Sequence, residues 1–245
     1  MNLRLFSDYP ALSRWTADQI IAALEQQPRL LLCPATGSTP RLTYRLLAER
    51  AARTPALFDR LRIVMLDEIV APAAARPATC LAYLEAHLLE PLRIGRERVL
   101  AFGYDGNPGQ EAQRLRQALA DWGPIDLCLL GLGANGHLGF IEPGAALLPH
   151  AHVADLQPSS QQHAMFQDLA AAPQQGLTLG IADLLHARRL LLLVNGAHKQ
   201  PVVQQLLEER IDPHFPASFL RLSPRVTCAV EKAAIGKTEE PRNRG

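Results

Sequence analysis

One glycine-rich segment of the sequence carries side chains that could exchange protons with a substrate. Residues 131–144 read GLGANGHLGFIEPG and place Asn135, His137 and Glu142 among five glycines. A histidine titrates near neutrality, and a neighbouring carboxylate can orient its ring and support its charged form. Glycine lets the backbone adopt positive φ and approach a ligand closely. We therefore expect catalytic proton transfer at His137, with Glu142 and Asn135 as its partners.

A second candidate is the acidic pair Asp67-Glu68, which directly follows RIVML, a run typical of a buried strand. Loss of water at the end of such a strand raises the pKa of a carboxyl group, which can then act as a general base. Either residue could take this role. The alternative is that one of them pairs with a lysine or arginine, or caps the next turn.

A third polar segment, PATGSTP, lies between the apolar run RLLLC and a helical pattern. Backbone N–H groups at a helix N-terminus attract phosphate. Thr36, Gly37, Ser38 and Thr39 would add hydroxyl groups and a flexible backbone. The alternative is an ordinary helix start, in which Ser38 or Thr39 is the N-cap and Pro40 lies in the first turn.

A distant cation supports the phosphate interpretation. Lys199 lies in NGAHK, at the start of another predicted helix, where a positive charge opposes the helix dipole. An anionic ligand would explain this position, whereas an exposed, solvated lysine is the alternative. We expect a small phosphorylated molecule between Lys199 and residues 36–39.

The elements that must position these residues follow from the alternation of short apolar runs with longer amphipathic stretches. This pattern predicts an α/β fold, with a Rossmann-like, mostly parallel sheet and helices on both faces. The predicted strands are 29–33, 62–66, 99–102, 126–130, 189–194 and 225–229. The predicted helices are 11–25, 39–52, 80–89, 109–122 and 197–207. Ligands of such sheets bind beyond the carboxyl ends of the strands, where strand order reverses, so the polar segments should converge there.

Length and composition restrict the class of protein. A chain of 245 residues with 48% apolar side chains fits a single domain over residues 1–235, with a flexible tail at 236–245 and a loop at 71–78. A net charge of +1 disfavours nucleic acid as a partner. The N-terminus lacks a signal-peptide pattern and no run is long enough to span a membrane, so we expect a cytoplasmic protein.

The sequence predicts neither a metal site nor a bound cofactor. The four cysteines are widely separated, which argues against zinc or a disulfide framework and favours buried, reduced thiols. The GLGANG start resembles a dinucleotide-binding motif, but the following HLGFIEPG does not read as an amphipathic helix. NAD is therefore not expected.

Taken together, the motifs resemble the glucosamine-6-phosphate deaminase and 6-phosphogluconolactonase superfamily. The resemblance extends from about residue 35 to 199, and more loosely to 229. It is carried by ATGSTPRLTY, MLDEIV, GLGANGHLGFIEPG, LTLGIADLL and NGAHK. The superfamily has a Rossmann-like fold, works on sugar phosphates without a cofactor or metal, and includes both monomers and regulated hexamers, so a homo-oligomer is compatible with the resemblance.

The resemblance implies a role for each matching residue. Asp67 matches the carboxylate that takes the proton from C2 of the open-chain sugar and returns it at C1. His137 matches the histidine that assists ring opening, and Glu142 the carboxylate of its relay. Residues 37–39 match the phosphate loop, and Lys199 the phosphate lysine. The implied reaction is aldose-ketose isomerisation of a hexosamine 6-phosphate with hydrolytic loss of ammonia.

Three departures from the glucosamine enzymes concern the substrate. Those enzymes resemble this chain but place Asp at Asn135, Asn at Ile141, and an arginine for the phosphate near His163. The neutral amide removes a charge that would favour a cationic histidine, so the relay depends more on Glu142. The combination NGHLG, SQQH and GLTLGIADLL is more similar to the galactosamine-6-phosphate branch. We therefore predict conversion of galactosamine 6-phosphate to tagatose 6-phosphate and ammonia.

Other functions stay open at this point. The departures could be drift within a glucosamine-6-phosphate deaminase. A 6-phosphogluconolactonase is the rival within the superfamily, although such enzymes usually follow Gly-His with Thr and lack the glutamate at the position of Glu142. A sugar-phosphate-sensing domain would be expected beside a DNA-binding module, for which the predicted first strand near Arg29 leaves little room.

Overall fold

A parallel sheet forms the centre of the molecule. The computed structural model describes residues 1–70, 79–103, 106–167 and 169–236. The strands, in chain order, are β1 (Asn2–Phe6), β2 (Leu31–Cys33), β3 (Arg62–Val64), β4 (Asp67–Val70), β5 (Val99–Leu100), β6 (Leu127–Gly131), β7 (His152–Asp155), β8 (Gln175–Thr178), β9 (Arg189–Val194) and β10 (Val226–Glu231). Seven of them form a parallel sheet of order β1-β10-β9-β6-β2-β3-β5, and β4-β8-β7 form a small antiparallel sheet. The predicted α/β class is confirmed.

Helices connect the parallel strands. The α-helices of the described residues are α1 (Tyr9–Gln26), α2 (Arg41–Arg53), α3 (Cys80–Leu84), α4 (Pro108–Trp122), α5 (Pro158–Gln161), α6 (Ile181–Leu185) and α7 (Gln200–Leu207). A π-helical turn, Glu85–Leu89, continues α3. Short 3₁₀ turns cover Pro55–Phe58, Arg96–Arg98, Ala164–Phe166, Ala197–Lys199, Pro216–Leu222 and Lys232–Ala234. All five predicted helices therefore exist, but the predicted helix 80–89 changes to a π-turn halfway and 197–207 begins with a 3₁₀ turn.

Two parts of the strand prediction were wrong. The first strand is β1 and not the strand near Arg29. The sequence did not predict β1 because it is an exposed edge strand, and most side chains of NLRLF are solvated. The predicted strand 62–66 ends at Val64, and Asp67 begins a separate strand of the small sheet. This sheet was not predicted because no turn signal separates RIVML from DEIV.

The core explains why the central strands read as continuous apolar runs. Strands β2, β6 and β9 have the sequences LLC, LCLLG and RLLLLV, and nearly all of their side chains are buried. A parallel strand covered on both faces requires such a run, and full burial of one leucine contributes roughly 1.5–3 kcal/mol. The four cysteines are buried and free, as predicted.

The strand order reverses between β2 and β6, where two of the polar segments begin. From β2 the chain moves outward to β3 and β5, and then returns to β6 on the other side of β2. The carboxyl ends of β2 and β6 therefore flank a crevice at the switch point. The loop after β2 supplies residues 34–40, and the loop after β6 supplies the Asn-Gly-His segment.

The predicted loop, the predicted flexible tail and the predicted domain limits cannot be compared with the described residues. The loop at 71–78 lies outside the described residues, as does the tail from 237 onward. The domain limits therefore stay a prediction. Among the residues that the structure describes, none of the helices is long and apolar enough to cross a membrane.

Candidate active site

A cavity of about 300 Å³ lies beyond the carboxyl ends of the central parallel strands. It is lined by eight of the ten residues singled out from the sequence, namely Thr36, Gly37, Ser38, Thr39, Asp67, His137, His163 and Lys199. The remaining two, Asn135 and Glu142, contact each other behind His137. The three polar segments converge at the switch point, as expected.

The loop before α2 is held by side chains from outside it. Tyr83 donates its hydroxyl to Gly37 O at 2.5 Å, and Tyr9 donates to Ser38 O at 3.0 Å. Thr39 Oγ1 donates to Asn195 Oδ1 at 2.7 Å. The N-cap of α2 is Pro40, which makes no side-chain capping bond. The alternative that Ser38 or Thr39 caps this helix is therefore wrong, and the loop is shaped by contacts that a plain helix start would not need.

Two basic side chains face this loop from the other side of the cavity. Lys199 is half-buried at the N-cap position of α7, and its Nζ donates to Leu132 O at 2.7 Å. Burial lowers the pKa of Lys199, and burial together with Lys199 lowers the pKa of His163. His163 Nδ1 accepts from Met165 N at 3.3 Å, and its Nε2 would lie 3.5 Å from a Cβ placed on Gly37. This end of the cavity is suited to an anion.

Asp67 is a buried carboxyl group with an unused acceptor. It begins β4 with 6% of its surface exposed, and its Oδ1 is buried without a hydrogen-bond partner. Burial and the charge of Glu68 raise the pKa of Asp67 to about 7, and a hydrogen bond from the Cys80 thiol acts in the opposite direction. A carboxyl group with this pKa can both accept and return a proton at neutral pH.

The other acid of the pair has a structural role. Glu68 is fully buried, and its carboxylate accepts from the backbone N–H groups of Ile69 at 2.7 Å, Cys80 at 2.9 Å and Leu81 at 2.9 Å. These bonds hold the start of α3 beside β4. Of the two roles considered for the pair, capping therefore belongs to Glu68, and the cavity-facing carboxyl group belongs to Asp67.

His137 is held as a neutral imidazole. Burial, followed by the charges of Lys199 and His163, lowers the pKa of His137 to about 4. Its Nδ1 lies 3.7 Å from Glu142 Oε2, which is beyond hydrogen-bonding distance, and 3.1 Å from Ser160 Oγ. The free protein therefore favours the neutral form of His137, and Glu142 does not contact the ring through a direct hydrogen bond.

Asn135 connects the histidine loop to Glu142. Its Nδ2 donates to Glu142 Oε2 at 3.2 Å and to Gln157 Oε1 at 3.1 Å, while its Oδ1 accepts from the backbone N of His137 at 3.1 Å. Glu142 also accepts from the backbone N of Gln157 at 3.3 Å. Burial raises the pKa of Glu142 against these hydrogen bonds. Asn135 thus supplies a neutral donor where an acid would bring a second negative charge.

Sequence reasoning missed four residues of the site. Ser160, Cys80, Asn195 and His198 also line the cavity. Cys80 was interpreted only as an apolar filler. Asn195 and His198 flank the predicted Lys199, and Ser160 lies in the same SSQQH segment as His163, so proximity to a predicted residue was the available signal.

The fold and the site define a class of protein: a Rossmann-like α/β protein whose switch-point cavity combines an end suited to an anion with a carboxyl group and a histidine that could transfer protons. In the described part of the chain, His, Cys, Asp and Glu side chains form no group of three or more that could hold a metal ion.

Comparison with known proteins identifies the family. Residues 9–228 match the model of the family described as glucosamine-6-phosphate isomerases/6-phosphogluconolactonase. The chain belongs to this family, as the resemblance implied.

Individual relatives agree with this assignment. The chain is 36% identical over 229 residues to the Escherichia coli (strain K12) protein named "Putative deaminase AgaI", covering 94% of this chain and 91% of the relative. It is 33% identical over 247 residues to a glucosamine-6-phosphate deaminase of Geobacillus sp. (strain WCH70), covering 100% of this chain and 98% of the relative. A solved structure described as a monomeric glucosamine-6-phosphate deaminase superposes with a TM-score of 0.89 at 32% identity, covering 96% of this chain and 98% of the solved chain.

Proposed function

We propose that this protein isomerises and deaminates a hexosamine 6-phosphate, and that its preferred substrate is galactosamine 6-phosphate. The products are then tagatose 6-phosphate and ammonia. The relatives with 36% and 33% identity are named as deaminases, and the second name specifies glucosamine 6-phosphate. The resemblance of this chain to the family supplies the reaction class, and the chemistry of the cavity supports it.

The observation that carries the proposal is the unpartnered Oδ1 of Asp67. A buried acceptor without a donor is costly in a native protein, and the residue that carries this one, Asp67, lines the cavity. A C–H proton of the substrate would supply the missing partner only during reaction. A pKa of about 7 lets Asp67 remove the proton from C2 and deliver it to C1.

The other groups fit the remaining steps. The neutral imidazole of His137 can take the proton of the anomeric hydroxyl and return it to the ring oxygen, which opens the pyranose. Asp67 then removes the C2 proton while the aldehyde oxygen takes a proton from the substrate ammonium group, which gives an enolamine, and Asp67 returns the C2 proton to C1 to give a protonated imine at C2. Water adds to the resulting imine at C2 and ammonia leaves, so one water is consumed for each ammonia released. Lys199, His163 and residues 36–39 hold the phosphate.

The galacto preference rests on the departures at Asn135 and Ile141. Neither side chain lines the cavity, and Ile141 is 1% exposed in the core. They would act through the loop that carries His137, because Asn135 bonds both to the His137 backbone and to Glu142. The name of the 36% identical relative specifies no sugar, so the preference is decided by assay.

The experiment measures ammonia production from galactosamine 6-phosphate and from glucosamine 6-phosphate, beside hydrolysis of 6-phosphogluconolactone. We expect ammonia from both amino sugars with a higher kcat/KM for the galacto compound. Asp67→Asn should lower kcat by roughly 10²- to 10⁴-fold, whereas Asp59→Asn, on the exposed surface, should leave it unchanged. A gluco preference would overturn the substrate assignment alone. Lactone hydrolysis without ammonia release would overturn the reaction class.

A further inference from the structure

A hydroxyl group lies between the histidine and the glutamate of the relay. Ser160 Oγ is 3.1 Å from His137 Nδ1, while the nearest Glu142 oxygen is 3.7 Å from the same nitrogen. The Ser160 hydroxyl also opposes the rise in the pKa of Glu142 that burial causes. The hydrogen-bond partner of His137 Nδ1 is therefore the serine hydroxyl and not Glu142.

The position of this hydroxyl is fixed by the same residues that fix the glutamate. Ser160 is 2% exposed and lies in the short helix α5. Its backbone N donates to Gln157 O at 2.9 Å, and the backbone N of Gln157 donates to Glu142 Oε1 at 3.3 Å. Gln157 Nε2 further donates to Pro143 O at 2.9 Å. Ser160 and Glu142 are thus held in one frame.

Counting protons determines the direction of each bond. Burial raises the pKa of Glu142, but the bonds from Asn135 and Gln157 and the nearby Ser160 hydroxyl favour the ionised, acceptor-only carboxylate. A serine hydroxyl has one proton, and the carboxylate of Glu142 is a stronger acceptor for it than a neutral imidazole nitrogen. Ser160 Oγ can then only accept from His137, which requires the proton of the neutral imidazole to be on Nδ1.

We propose that Ser160 is a positioning residue that fixes the tautomer of His137 and leaves the Nε2 lone pair for the substrate. The tautomer is a property of the free protein, and its consequence for catalysis rests on the proposed function. When Nε2 accepts the proton of the anomeric hydroxyl, the ring becomes an imidazolium whose Nδ1–H still donates to Ser160. Glu142 stabilises this charge through the serine, and return of the proton from Nε2 to the ring oxygen restores the neutral imidazole.

The first test is independent of turnover. Nitrogen-15 NMR of histidine-labelled protein near pH 7, with the His137 signals assigned by comparison with His137→Gln, reports which ring nitrogen carries the proton. We expect Nδ1–H in the wild type and in Ser160→Thr, and a loss of this preference in Ser160→Ala. A wild-type imidazole protonated at Nε2 would overturn the proposal whatever reaction the protein catalyses.

The second test is kinetic. Ser160→Ala should lower kcat for the hexosamine 6-phosphate by roughly 10- to 100-fold with little change in KM, and Ser160→Thr should restore most of it. The matched control is Ser13→Ala, which removes a buried hydroxyl that has no hydrogen-bond partner and should leave kcat unchanged. Thermal unfolding of each variant shows that it is folded. Wild-type kcat in folded Ser160→Ala would overturn the role of Ser160, whereas absence of ammonia from the wild type would overturn only the proposed function.

Discussion

Gly139 lies directly against the carboxyl group of Asp67. A Cβ placed on residue 139 would stand 3.2 Å from Asp67 Oδ2, 3.2 Å from Thr178 Oγ1 and 3.1 Å from Leu66 Cγ, and the residue has a φ of +56°. Gly139→Ala should therefore cost at least about 1–2 kcal/mol of unfolding free energy from the backbone alone. It should also lower kcat by displacing Asp67. Chemical denaturation and steady-state kinetics measure the two effects.

Gly123→Ala separates these effects. Gly123 also has a positive φ, +96°, but a Cβ there would have no neighbour within 4 Å. This control should lose a comparable amount of stability while keeping wild-type kcat. Equal kcat values for the two variants would show that Gly139 does not position Asp67.

Replacing Asp67 should make the protein more stable at high pH. Burial, then the charge of Glu68, raises the pKa of Asp67 from 3.8 to about 7 in the folded state. A raised carboxyl pKa means that the folded state loses stability as pH increases from about 4 to above 7. Asp67→Asn removes this loss, so its stability relative to the wild type should increase by up to about 4 kcal/mol between pH 4 and pH 8. Denaturant unfolding at both pH values measures the change, and a constant difference would contradict the raised pKa.

The Cys80 thiol should shift the acid limb of the pH profile, which reports the ionisation of Asp67. In kcat/KM, activity should rise with pH as Asp67 ionises, with a midpoint near its pKa of about 7. Because the hydrogen bond from Cys80 lowers this pKa, Cys80→Ala should move the acid limb to higher pH. Cys228→Ala, which removes a buried thiol from β10, should not. An acid limb that stays in place in Cys80→Ala would exclude the thiol as a partner of Asp67.

Sequence alone predicted the parts of the fold that depend on continuous apolar runs. The central strands must be buried on both faces, so their sequences contain little else, and the predicted strand 189–194 has the bounds of β9. Edge strand β1 lacked this signal because most of its side chains are exposed. The small sheet was missed because RIVML continues into DEIV without a turn signal, and because β4 pairs with a distant part of the chain, as Asp67 does with Thr178.

For the site, the sequence predicted which residues come together but not their protonation states. Residues at the carboxyl ends of buried strands could be found from sequence, since the fold class fixes where those ends meet. The protonation states could not, because they depend on burial and on neighbours from other loops. The pKa of His137 depends on burial and then on Lys199 and His163, and its hydrogen bond to Ser160 joins two segments 23 residues apart.

Introducing an acid at position 135 should raise the pKa of His137. Asn135→Asp would place a carboxylate at the site of an amide that lies 3.2 Å from Glu142 Oε2 and bonds to the His137 backbone. The added negative charge should raise the pKa of His137 above its present value of about 4 by roughly 1–2. NMR titration of the His137 ring protons measures this. Asn135→Ala, which removes the amide without adding charge, should show no such increase, and a similar rise in both variants would assign the effect to the lost hydrogen bonds.

An arginine in place of His163 should strengthen phosphate binding near neutral pH. Burial and Lys199 lower the pKa of His163 from 6.5, so the imidazole beside Gly37 is neutral above that pH and gains its charge only below it. A permanent guanidinium would add a charge-assisted hydrogen bond, and His163→Arg should lower KM for the hexosamine 6-phosphate roughly 10-fold at pH 8. This advantage should shrink as pH falls and the wild-type imidazole becomes protonated. Taking the ratio of KM values at each pH cancels the titration of the substrate phosphate, which is common to both proteins. His163→Gln should not gain affinity at low pH, and a KM for His163→Arg equal to that of the wild type at pH 8 would place His163 away from the phosphate.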